Sequence, residues 1–411
     1  MTIKIYGIII MVKKNAPRIA VVIFRRDFRL AGNPAWSRCS KWCEETGASV
    51  APCFVFSDAQ IDRDKNPYYS DKAYAAMRRC LDALDAELGH RLSYFRAGRD
   101  AEALRYIADR FDVGAVFFNS DVTPFATRRD DEIAAWCASA GVLCDRGEPG
   151  EGYTVWPVGS VMTGSQTVPK SFSAFYGYTR DRAIPATSRA RKARILPRIS
   201  AVPASVPEPG PLEEFPSLRE VVKRLRAGEH DGYGETRDDY GVPTTRLSVH
   251  LKFGRLDPRE VLRVARKIPA LERQLVWREF YYHLAWGYPE ILTVPNRHIR
   301  PDRQKVDWTP SDPGKVEAWR TGTTGEPLVD LAMKRLAKTG YLHNRLRMVV
   351  ASYFTKDMGM DWRDGERLMA TMLVDYDPAQ NSGGWQSMDA QLKGQAIKAS
   401  TQARKFGLGL Q

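Results

Sequence analysis

Cysteine and histidine are scarce in this sequence, with six of each among 411 residues. The cysteines all lie in the first 144 residues and none forms a CxxC pair, so we expect free thiols in a reducing compartment rather than disulfides or a zinc site. No apolar run is long enough to span a membrane. No GxGxxG or other phosphate loop follows the first predicted strand, which argues against a dinucleotide-binding Rossmann domain and a generic nucleotide-binding α/β enzyme.

The first 18 residues are set apart from the fold prediction. They hold a short Ile-rich patch followed by lysines, and they lack the order and the cleavage site of a secretory signal. Met11 is a second candidate for the start of the protein. The sequence therefore predicts a protein that is not secreted.

Charge is strongly unbalanced, with 62 Lys and Arg against 49 Asp and Glu and a formal net charge of +13. Such a balance favours a polyanionic partner, most commonly nucleic acid, although solubility alone is the alternative explanation. We expect the protein in the cytoplasm or with the DNA of a nucleoid or nucleus. A length of 411 residues with 43% hydrophobic residues suits two globular domains.

Strand and helix patterns alternate in the first part of the chain, which predicts a parallel sheet with helices on both faces. The predicted strands are residues 19–24, 51–56, 91–95, 115–119 and 142–144, with helices at 71–88 and 101–111 among them. Arg25, Arg26 and Asp27 follow the first strand, at the carboxyl edge where such sheets bind ligands. We predict a doubly wound α/β domain over residues 19–150.

A Pro-rich connector is predicted for residues 151–217, where the alternation breaks down. Its basic run at 180–198 is interpreted as a solvated charged face, with contact to DNA phosphates as the alternative. Residues 218–386 show helical periods only, at 256–268, 271–288, 326–338, 343–356 and 363–374, which predicts an all-α domain. Residues 387–411 form a polar, basic tail, expected to be disordered or a loose helix.

The stretch from Thr339 to Gln386 carries the most chemistry, and its pattern predicts a helix, a short loop, a second helix and a Gly-rich turn. Asn344, Arg347 and Met348 lie at i, i+3 and i+4 and share one helix face. Asp375 and Asp377 follow in a turn, with Asn381 four residues further on. One cation, two carboxylates and two amides suit a polar heterocycle, whereas a surface ion pair with a capped loop is the alternative.

Six segments, in order along the chain, resemble those of the photolyase/cryptochrome family. They are FRRDFRL at 24–30, TTRLS at 244–248, WREFYYHL at 277–284, TGYLHNRLRM at 339–348, DWRDGE at 361–366 and DYDPAQNSGGWQ at 375–386. The resemblance covers about residues 19–386. It implies an N-terminal Rossmann-like α/β domain, a C-terminal all-α FAD-binding domain, and FAD as the cofactor.

The resemblance also assigns roles to residues. For the cofactor it implies Tyr233, Thr244, Thr245, Arg246, Leu247, Ser248, Arg278, Asn344, Arg347, Asp375, Tyr376, Asp377 and Asn381. For electron supply it implies a row of three tryptophans, Trp385, Trp362 and Trp308. For the DNA lesion it implies Arg237, Gln274, Trp277, Asn344, Arg345 and Met348. The implied function is light-driven repair of cyclobutane pyrimidine dimers as a deoxyribodipyrimidine photolyase of class I, acting as a monomer on damaged double-stranded DNA, with no membrane and no metal.

Two positions depart from the family pattern in the expected lesion pocket. Gln274 stands where cyclobutane-dimer enzymes usually have a catalytic Glu, and Ser387 stands where relatives have a second Trp. Relatives also continue with several more helices, so we expect either a truncated gene or a site that closes differently. The alternatives are a cryptochrome-like light sensor without repair and an inactive DNA-binding descendant.

A light-harvesting antenna is expected in the α/β domain. Thr123, Phe125 and Ala126 replace the acidic and amide contacts of folate-using relatives. The sequence therefore argues against folate and leaves a deazaflavin or no antenna open.

Overall fold

The computed structural model describes residues 2–5, 8–11, 17–189, 191–293, 310–390, 399 and 401. Strands β1 (Thr2–Ile5) and β2 (Ile8–Met11) pair as an antiparallel hairpin. The predicted helix-covered sheet follows. It consists of β3 (Arg18–Ile23), β4 (Ser49–Ser57), β5 (Ser93–Ala97), β6 (Asp112–Phe117) and β7 (Leu143–Asp145).

The five strands are all parallel and lie in the order β5-β4-β3-β6-β7. The chain adds β4 and β5 on one side of β3 and then β6 and β7 on the other, so the strand order reverses between β3 and β6. Such a switch point is where open α/β sheets bind ligands. Alternate residues of β3 pack into two different hydrophobic cores. Ala20 and Val22 lie on one face of the sheet, and Val21 and Ile23 lie on the other. Both faces are thus covered, as predicted for a doubly wound domain.

Helices in the first part of the chain are α1 (Pro34–Thr46), α2 (Asp58–Ile61), α3 (Asp71–Glu87), α4 (Asp100–Ala108) and α5 (Pro124–Ala140). Side chains of Asn33, Ser70 and Thr123 accept N-terminal hydrogen bonds from α1, α3 and α5. All six cysteines are free thiols. Among the described residues, no helix has the length and the apolar character that a membrane span requires.

The segment predicted as a connector packs against both halves of the molecule. Its helix α6 (Phe172–Thr179) contributes Phe172 and Phe175 to the core of the helical half. Further on, residues 194–200 run beside the sheet, where the Val50 amide donates to the Arg194 carbonyl and the Tyr94 amide donates to the Ser200 carbonyl. The connector therefore holds the two halves together rather than only spacing them.

The helical half contains no strand among its described residues. Its helices are α7 (Leu218–Arg226), α8 (Tyr233–Thr236), α9 (Ser248–Lys252), α10 (Pro258–Ala265), α11 (Pro269–Gly287), α12 (Glu290–Thr293), α13 (Pro313–Thr321), α14 (Pro327–Thr339), α15 (Asn344–Ser352), α16 (Trp362–Met372) and α17 (Pro378–Ala390). Helix α15 continues into a π-helical turn, Tyr353–Asp357.

One predicted element is wrong. The Gly-rich turn after Asn381 is part of α17, and Gly383 and Gly384 lie within this helix. A Cβ atom on Gly383 would lie 2.2 Å from Cδ1 of Tyr281, so here glycine allows two helices to approach rather than forming a turn. Helix α17 also extends past residue 386 into the predicted tail, as far as Ala390.

Candidate functional site

A cavity of about 450 Å³ opens among the C-terminal helices. Its lining comes from α8, α11, α15 and α17 and from the loop that joins α16 to α17. Predicted site residues on its wall are Tyr233, Arg237, Gln274, Trp277, Arg278, Asn344, Arg345, Arg347, Met348, Asp375, Tyr376, Asp377, Asn381 and Trp385. Segments more than 150 residues apart in the chain thus meet at one chamber, of a size typical for ligand sites.

We call Arg347, Asp375, Asp377 and Asn381 the ion-paired side of this cavity. Nη2 of Arg347 lies 3.0 and 2.9 Å from the two carboxylate oxygens of Asp375. Nε of Arg347 also donates to the Leu342 carbonyl at 2.8 Å, so the guanidinium is held at two points. The Asp375 side chain is only 3% exposed, which makes this ion pair less screened than a surface pair.

Asp377 connects the cavity to the α/β half. Its Oδ2 accepts hydrogen bonds from Arg26 and from the Tyr282 hydroxyl, each at 2.7 Å, and lies 3.7 Å from Nζ of Lys252. Its Oδ1 accepts a hydrogen bond from the backbone N–H of Gln380 in the first turn of α17. Burial would raise the pKa of Asp377, but Arg26 and Lys252 hold it well below its usual range.

Asn381 also has a buried partner. Its Nδ2 donates to Oε1 of Glu366 at 2.9 Å and to the Glu366 carbonyl at 3.1 Å. Burial raises the pKa of Glu366 to about 7, and the hydrogen bond from Asn381 opposes that rise. With Nδ2 occupied, Oδ1 is the atom of Asn381 that can accept a hydrogen bond from a ligand.

Trp385 forms part of the wall and is 4% exposed. Its ring packs edge-on against Phe354 and Trp319, with centroid separations of 6.0 and 6.3 Å. A Cβ atom on Gly365 would lie 2.3 Å from the indole, so α16 approaches Trp385 at a residue without a side chain. Sequence reasoning missed Trp319, because nothing in the sequence indicates that it lies beside Trp385.

We call Gln274, Trp277, Tyr281 and Ser387 the aromatic side of the cavity. Trp277 and Tyr281 lie one turn apart on α11, with ring centroids 5.5 Å apart at an angle of 33°. Phe172 of α6 stacks on Trp277 at 3.8 Å and 4°, so the connector supports the indole. The Tyr281 hydroxyl and the Ser387 hydroxyl are 3.1 Å apart.

Asn344, Arg347 and Met348, which the sequence predicts to share one helix face, all lie on α15 and line this cavity. Nδ2 of Asn344 lies 3.9 Å from the Met348 sulfur. Arg345, beside them, pairs with Asp238 at 2.5 Å. The alternative of a plain surface ion pair does not fit Arg347, whose partner Asp375 is buried.

Several predicted site residues lie elsewhere. Thr244, Thr245, Arg246, Leu247 and Ser248 are outside the lining of the cavity, although the Thr244 hydroxyl is hydrogen-bonded to Tyr341 at 2.7 Å. Trp362 lines a different cavity, and Trp308 lies outside the described residues. The structure therefore places one of the three predicted tryptophans, Trp385, at the candidate site.

That second cavity, of about 740 Å³, lies at the carboxyl edge of the sheet. Arg25, Arg129 and Lys252 give it cationic walls, and Tyr68 stacks on Tyr376 at its rim at 5.8 Å. Burial lowers the pKa of Lys252 to about 8, with Asp377 opposing that shift. The lining also includes the three residues at the expected folate positions, Thr123, Phe125 and Ala126.

Two arginines of the basic run at 180–198 have acidic partners in the α/β half. Arg191 pairs with Glu44 at 2.8 Å, and Arg198 pairs with the buried Asp85. These contacts join the connector to the α/β half. They favour the interpretation of the run as a charged protein surface over direct contact with DNA phosphates.

Comparison with known proteins decides the family. A family model for DNA photolyase matches residues 20–192, and a model for the FAD binding domain of DNA photolyase matches residues 271–407. The chain is 31% identical to the deoxyribodipyrimidine photo-lyase of Escherichia coli (strain K12), over 94% of this chain and 86% of the relative. The chain belongs to the photolyase/cryptochrome family.

Solved structures of this family share the fold. An archaeal photolyase from Sulfolobus tokodaii, solved with two FAD molecules, superposes with a TM-score of 0.75 at 28% identity, over 94% of this chain and 87% of that one. A cryptochrome from Synechocystis sp. PCC6803 superposes with a TM-score of 0.80 at 21% identity, over 96% and 87% of the two chains, which supports the fold alone.

The walls of the smaller cavity fit the FAD of the family domain. Arg278 supplies a cation suited to the anionic nucleotide. Arg347 and Asp375 supply a fixed pair of opposite charges, and Asn381 keeps an acceptor oxygen for a ring N–H. This donor set is what a large anionic flavin nucleotide requires of its site.

Proposed function

We propose that this protein uses light to split cyclobutane pyrimidine dimers in DNA, with FAD bound in the smaller cavity. One observation carries the proposal: the residues suited to a flavin and the residues suited to a flipped-out pyrimidine dimer line the same chamber. A cofactor and a lesion held there would be neighbours, and close approach is what electron transfer between them requires. When bound, reduced FAD supplies the electron that splits the dimer in blue light.

The ion-paired side is the proposed site of the flavin ring. Arg347 keeps its position through Leu342 and Asp375, so its charge is preorganised before any ligand binds. Arg26 and Lys252 compensate the charge of Asp377. The Arg347–Asp375 pair is therefore the charged group proposed to act on the flavin ring. The amide of Asn381 accepts a hydrogen bond without ionising, which favours a flavin that stays reduced and repairs.

Trp385 is the proposed electron donor that keeps the cofactor reduced. Its indole lies on the wall of the cavity and is buried against Phe354 and Trp319. Trp362 and Trp308 remain the proposed outer members of the row.

Lesion binding is assigned to the aromatic side together with Asn344 and Met348. A dimer must leave the base stack, at a cost of a few kcal/mol, and Trp277 offers a ring on which it can stack. Arg237 and Arg345 are the proposed phosphate contacts. Gln274 can donate a hydrogen bond to the dimer but has no acidic proton to transfer.

The larger cavity is the proposed antenna site. Aromatic rings and cationic side chains on its walls suit a planar, light-absorbing heterocycle with acidic groups. A deazaflavin fits this description, whereas the residues at 123, 125 and 126 lack the acidic and amide contacts expected for folate.

An absorption spectrum of the purified protein, followed by a repair assay, tests the proposal. We expect a flavin band and loss of dimers from a UV-irradiated oligonucleotide under blue light but not in the dark. A flavin band without repair would favour the cryptochrome-like sensor. A protein without flavin would favour the inactive DNA-binding homologue, and an additional chromophore band would reveal an antenna.

A further inference from the structure

Two of the six cysteines meet where the last helix and the last strand of the α/β half adjoin. Helix α5 ends at Gly141, whose positive φ of 67° turns the chain back, and the Val142 N–H donates to the Cys137 carbonyl at 2.9 Å. Strand β7 begins directly after this turn, at Leu143. The turn thus brings Cys144 of the strand back beside Cys137 in the last turn of the helix.

The register of β7 places the Cys144 side chain on the face of the sheet that α5 covers. Cys144 is paired with Val116 of β6, and Val116 and Cys137 belong to one hydrophobic core, against which Cys144 packs. The two thiols are hydrogen-bonded to each other. Because β7 is a three-residue strand at the end of the sheet, it can make the small adjustment that a bond between the two sulfur atoms requires.

Cys144 is the more reactive thiol of the pair. It is half-buried, and its neighbour Leu143 is 50% exposed, so small molecules in solution can reach the strand. The hydrogen bond from Cys137 lowers the pKa of the Cys144 thiol, burial opposes this shift, and the charge of Arg146 supports it. The same hydrogen bond, together with burial, raises the pKa of Cys137. An accessible sulfur that readily forms a thiolate, next to a buried thiol, is the arrangement of a redox-sensitive pair.

The other four cysteines differ from Cys144 in exposure. Cys39 and Cys43 also form a hydrogen-bonded pair, one turn apart on α1, but both are buried. Cys53 and Cys80 are buried as well, and burial raises the pKa of Cys80 to about 12. Cys144 is therefore the most exposed of the six cysteines, all of which lie in the described part of the chain.

We propose that Cys137 and Cys144 are a redox-active pair, which a peroxide oxidises to an intrachain disulfide between α5 and β7. Cys144 is the thiol that reacts first. Cys137 is the resolving thiol, which converts the first product to a disulfide before it is oxidised irreversibly. This modification site does not depend on the proposed function.

Hydrogen peroxide supplies the oxidising equivalents. The Cys144 thiolate attacks one oxygen, an S–O bond forms, and the O–O bond breaks; the hydroxide that leaves takes the proton that Cys144 lost. The Cys137 sulfur then attacks the sulfur of the resulting sulfenic acid, an S–S bond forms, and the S–O bond breaks. The hydroxyl group leaves as water with the proton of Cys137. Two thiols and one hydrogen peroxide thus give one disulfide and two molecules of water, and dithiothreitol reverses the change by thiol–disulfide exchange.

Peptide mapping of the full-length protein tests the pair. Trypsin releases residues 130–146 as one peptide, whose two cysteines are Cys137 and Cys144, and residues 80–91 as a peptide with Cys80. The reduced protein is treated with a small excess of hydrogen peroxide and then unfolded in urea with iodoacetamide, which labels every remaining thiol. We expect the first peptide to escape labelling and to lose two hydrogens, about 10-fold or more faster than Cys80 loses its thiol. Dithiothreitol should restore the labelling of both cysteines.

Cys137→Ser tests the resolving role. This variant keeps the reactive thiol but cannot form the disulfide, so Cys144 should gain two or three oxygens, as a sulfinic or sulfonic acid that dithiothreitol does not reduce. Cys144→Ser is the matched variant. It removes the reactive thiol, so the buried Cys137 should stay reduced and labelled.

Each result supports or overturns the inference. A wild-type peptide that keeps both labels, or that loses them no faster than Cys80 does, would overturn the redox pair. A disulfide that joins two molecules, seen as a dimer on a non-reducing gel, would overturn the intrachain bond. Equal irreversible oxidation of Cys144 in the wild type and in Cys137→Ser would overturn the resolving role. The wild-type map needs no variant, so the test stands even if Cys137→Ser does not fold.

Discussion

The ion-paired and aromatic sides of the smaller cavity differ in how their residues are held. On the ion-paired side, the carboxylates of Asp375 and Asp377 are at most 5% exposed, and each has a fixed cationic partner. On the aromatic side, Gln274, Trp277, Tyr281 and Ser387 are only partly buried. Stacked rings hold Trp277 and Tyr281, and a pair of hydroxyl groups joins Tyr281 to Ser387. Both departures from the family pattern, Gln274 and Ser387, lie on this second side.

The difference has a physical origin. A buried charge that loses its partner is costly. Removing one charged residue of the ion-paired side therefore destabilises the protein, because its partner stays buried and unpaired. An aromatic wall tolerates substitution better, because a neighbouring ring can supply the same stacking surface. The comparison therefore predicts that substitutions on the ion-paired side affect folding and cofactor retention, whereas those on the aromatic side affect substrate use.

The largest effect is expected for Asp377→Ala. This change leaves Arg26 and Lys252 buried without their shared carboxylate, which typically costs about 3–5 kcal/mol, and it removes a hydrogen-bond acceptor at the start of α17. The free energy of unfolding in urea measures the loss.

Arg367→Ala is the surface control for this experiment. Arg367 pairs with Asp364 on the exposed face of α16, where such pairs contribute about 0–1 kcal/mol. A loss for Asp377→Ala no greater than that of the control would break the comparison, since the buried network would then have no special role in stability.

Arg347→Ala is expected to release the flavin with a smaller effect on folding. The variant removes the cation that Asp375 holds beside the proposed ring site. A lost charge-assisted contact, about 1.5–3 kcal/mol, corresponds to roughly 10- to 100-fold weaker cofactor binding. The ratio of flavin absorbance to protein absorbance measures retention. Arg335→Ala, which removes an exposed arginine 3.5 Å from Glu214, should keep the wild-type ratio.

Sequence reasoning was most successful where local pattern and tertiary structure agree. The predicted strand at residues 19–24 became β3, and the face of Asn344, Arg347 and Met348 became a wall of the cavity. It failed at residues 381–386, where glycines that usually signal a turn lie in α17 because Tyr281 packs against Gly383. Tertiary packing, invisible in the sequence, decided that element.

Partners from distant parts of the chain could not be predicted either. Arg26 follows a strand edge, which marked it as a ligand-site candidate, but nothing in the sequence connects it to Asp377, 351 residues later. The same holds for Glu366 with Asn381 and for Phe172 with Trp277. The first contact depends on how the two halves dock, and the other two depend on how helices pack, α16 on α17 and α6 on α11.

A pH-dependent effect is expected for Glu366→Gln. Burial raises the pKa of Glu366 to about 7 in the folded protein, above the value near 4.3 of an unfolded chain. The folded state thus favours the protonated form, and the stability this contributes is fully present below about pH 4.3 and is lost as the pH rises through 7. The stability of the wild type relative to Glu366→Gln should therefore fall over this interval and level off above it. Parallel curves of melting temperature against pH for the two proteins would contradict the assignment.

The smallest effect, and the sharpest test of the aromatic side, is expected for Gln274→Glu. The side chain is half-buried on the cavity wall, and a carboxyl group there would restore the acidic hydrogen bond expected in cyclobutane-dimer enzymes. A protonated carboxyl group donates a stronger hydrogen bond than an amide to the negative charge that develops on the dimer. With about 1 kcal/mol for this difference, we expect the quantum yield of dimer splitting to rise up to about fivefold, with flavin content and unfolding free energy unchanged. The yield is measured by actinometry on a dimer-containing oligonucleotide.

Gln380→Glu serves as the charge-matched control and should not raise the yield. Gln380 also lines the cavity, and its side-chain amide donates to the Arg278 carbonyl at 2.9 Å. An unchanged yield for Gln274→Glu would mean that the amide serves equally well, and the aromatic side would then be adapted to its substrate rather than weakened.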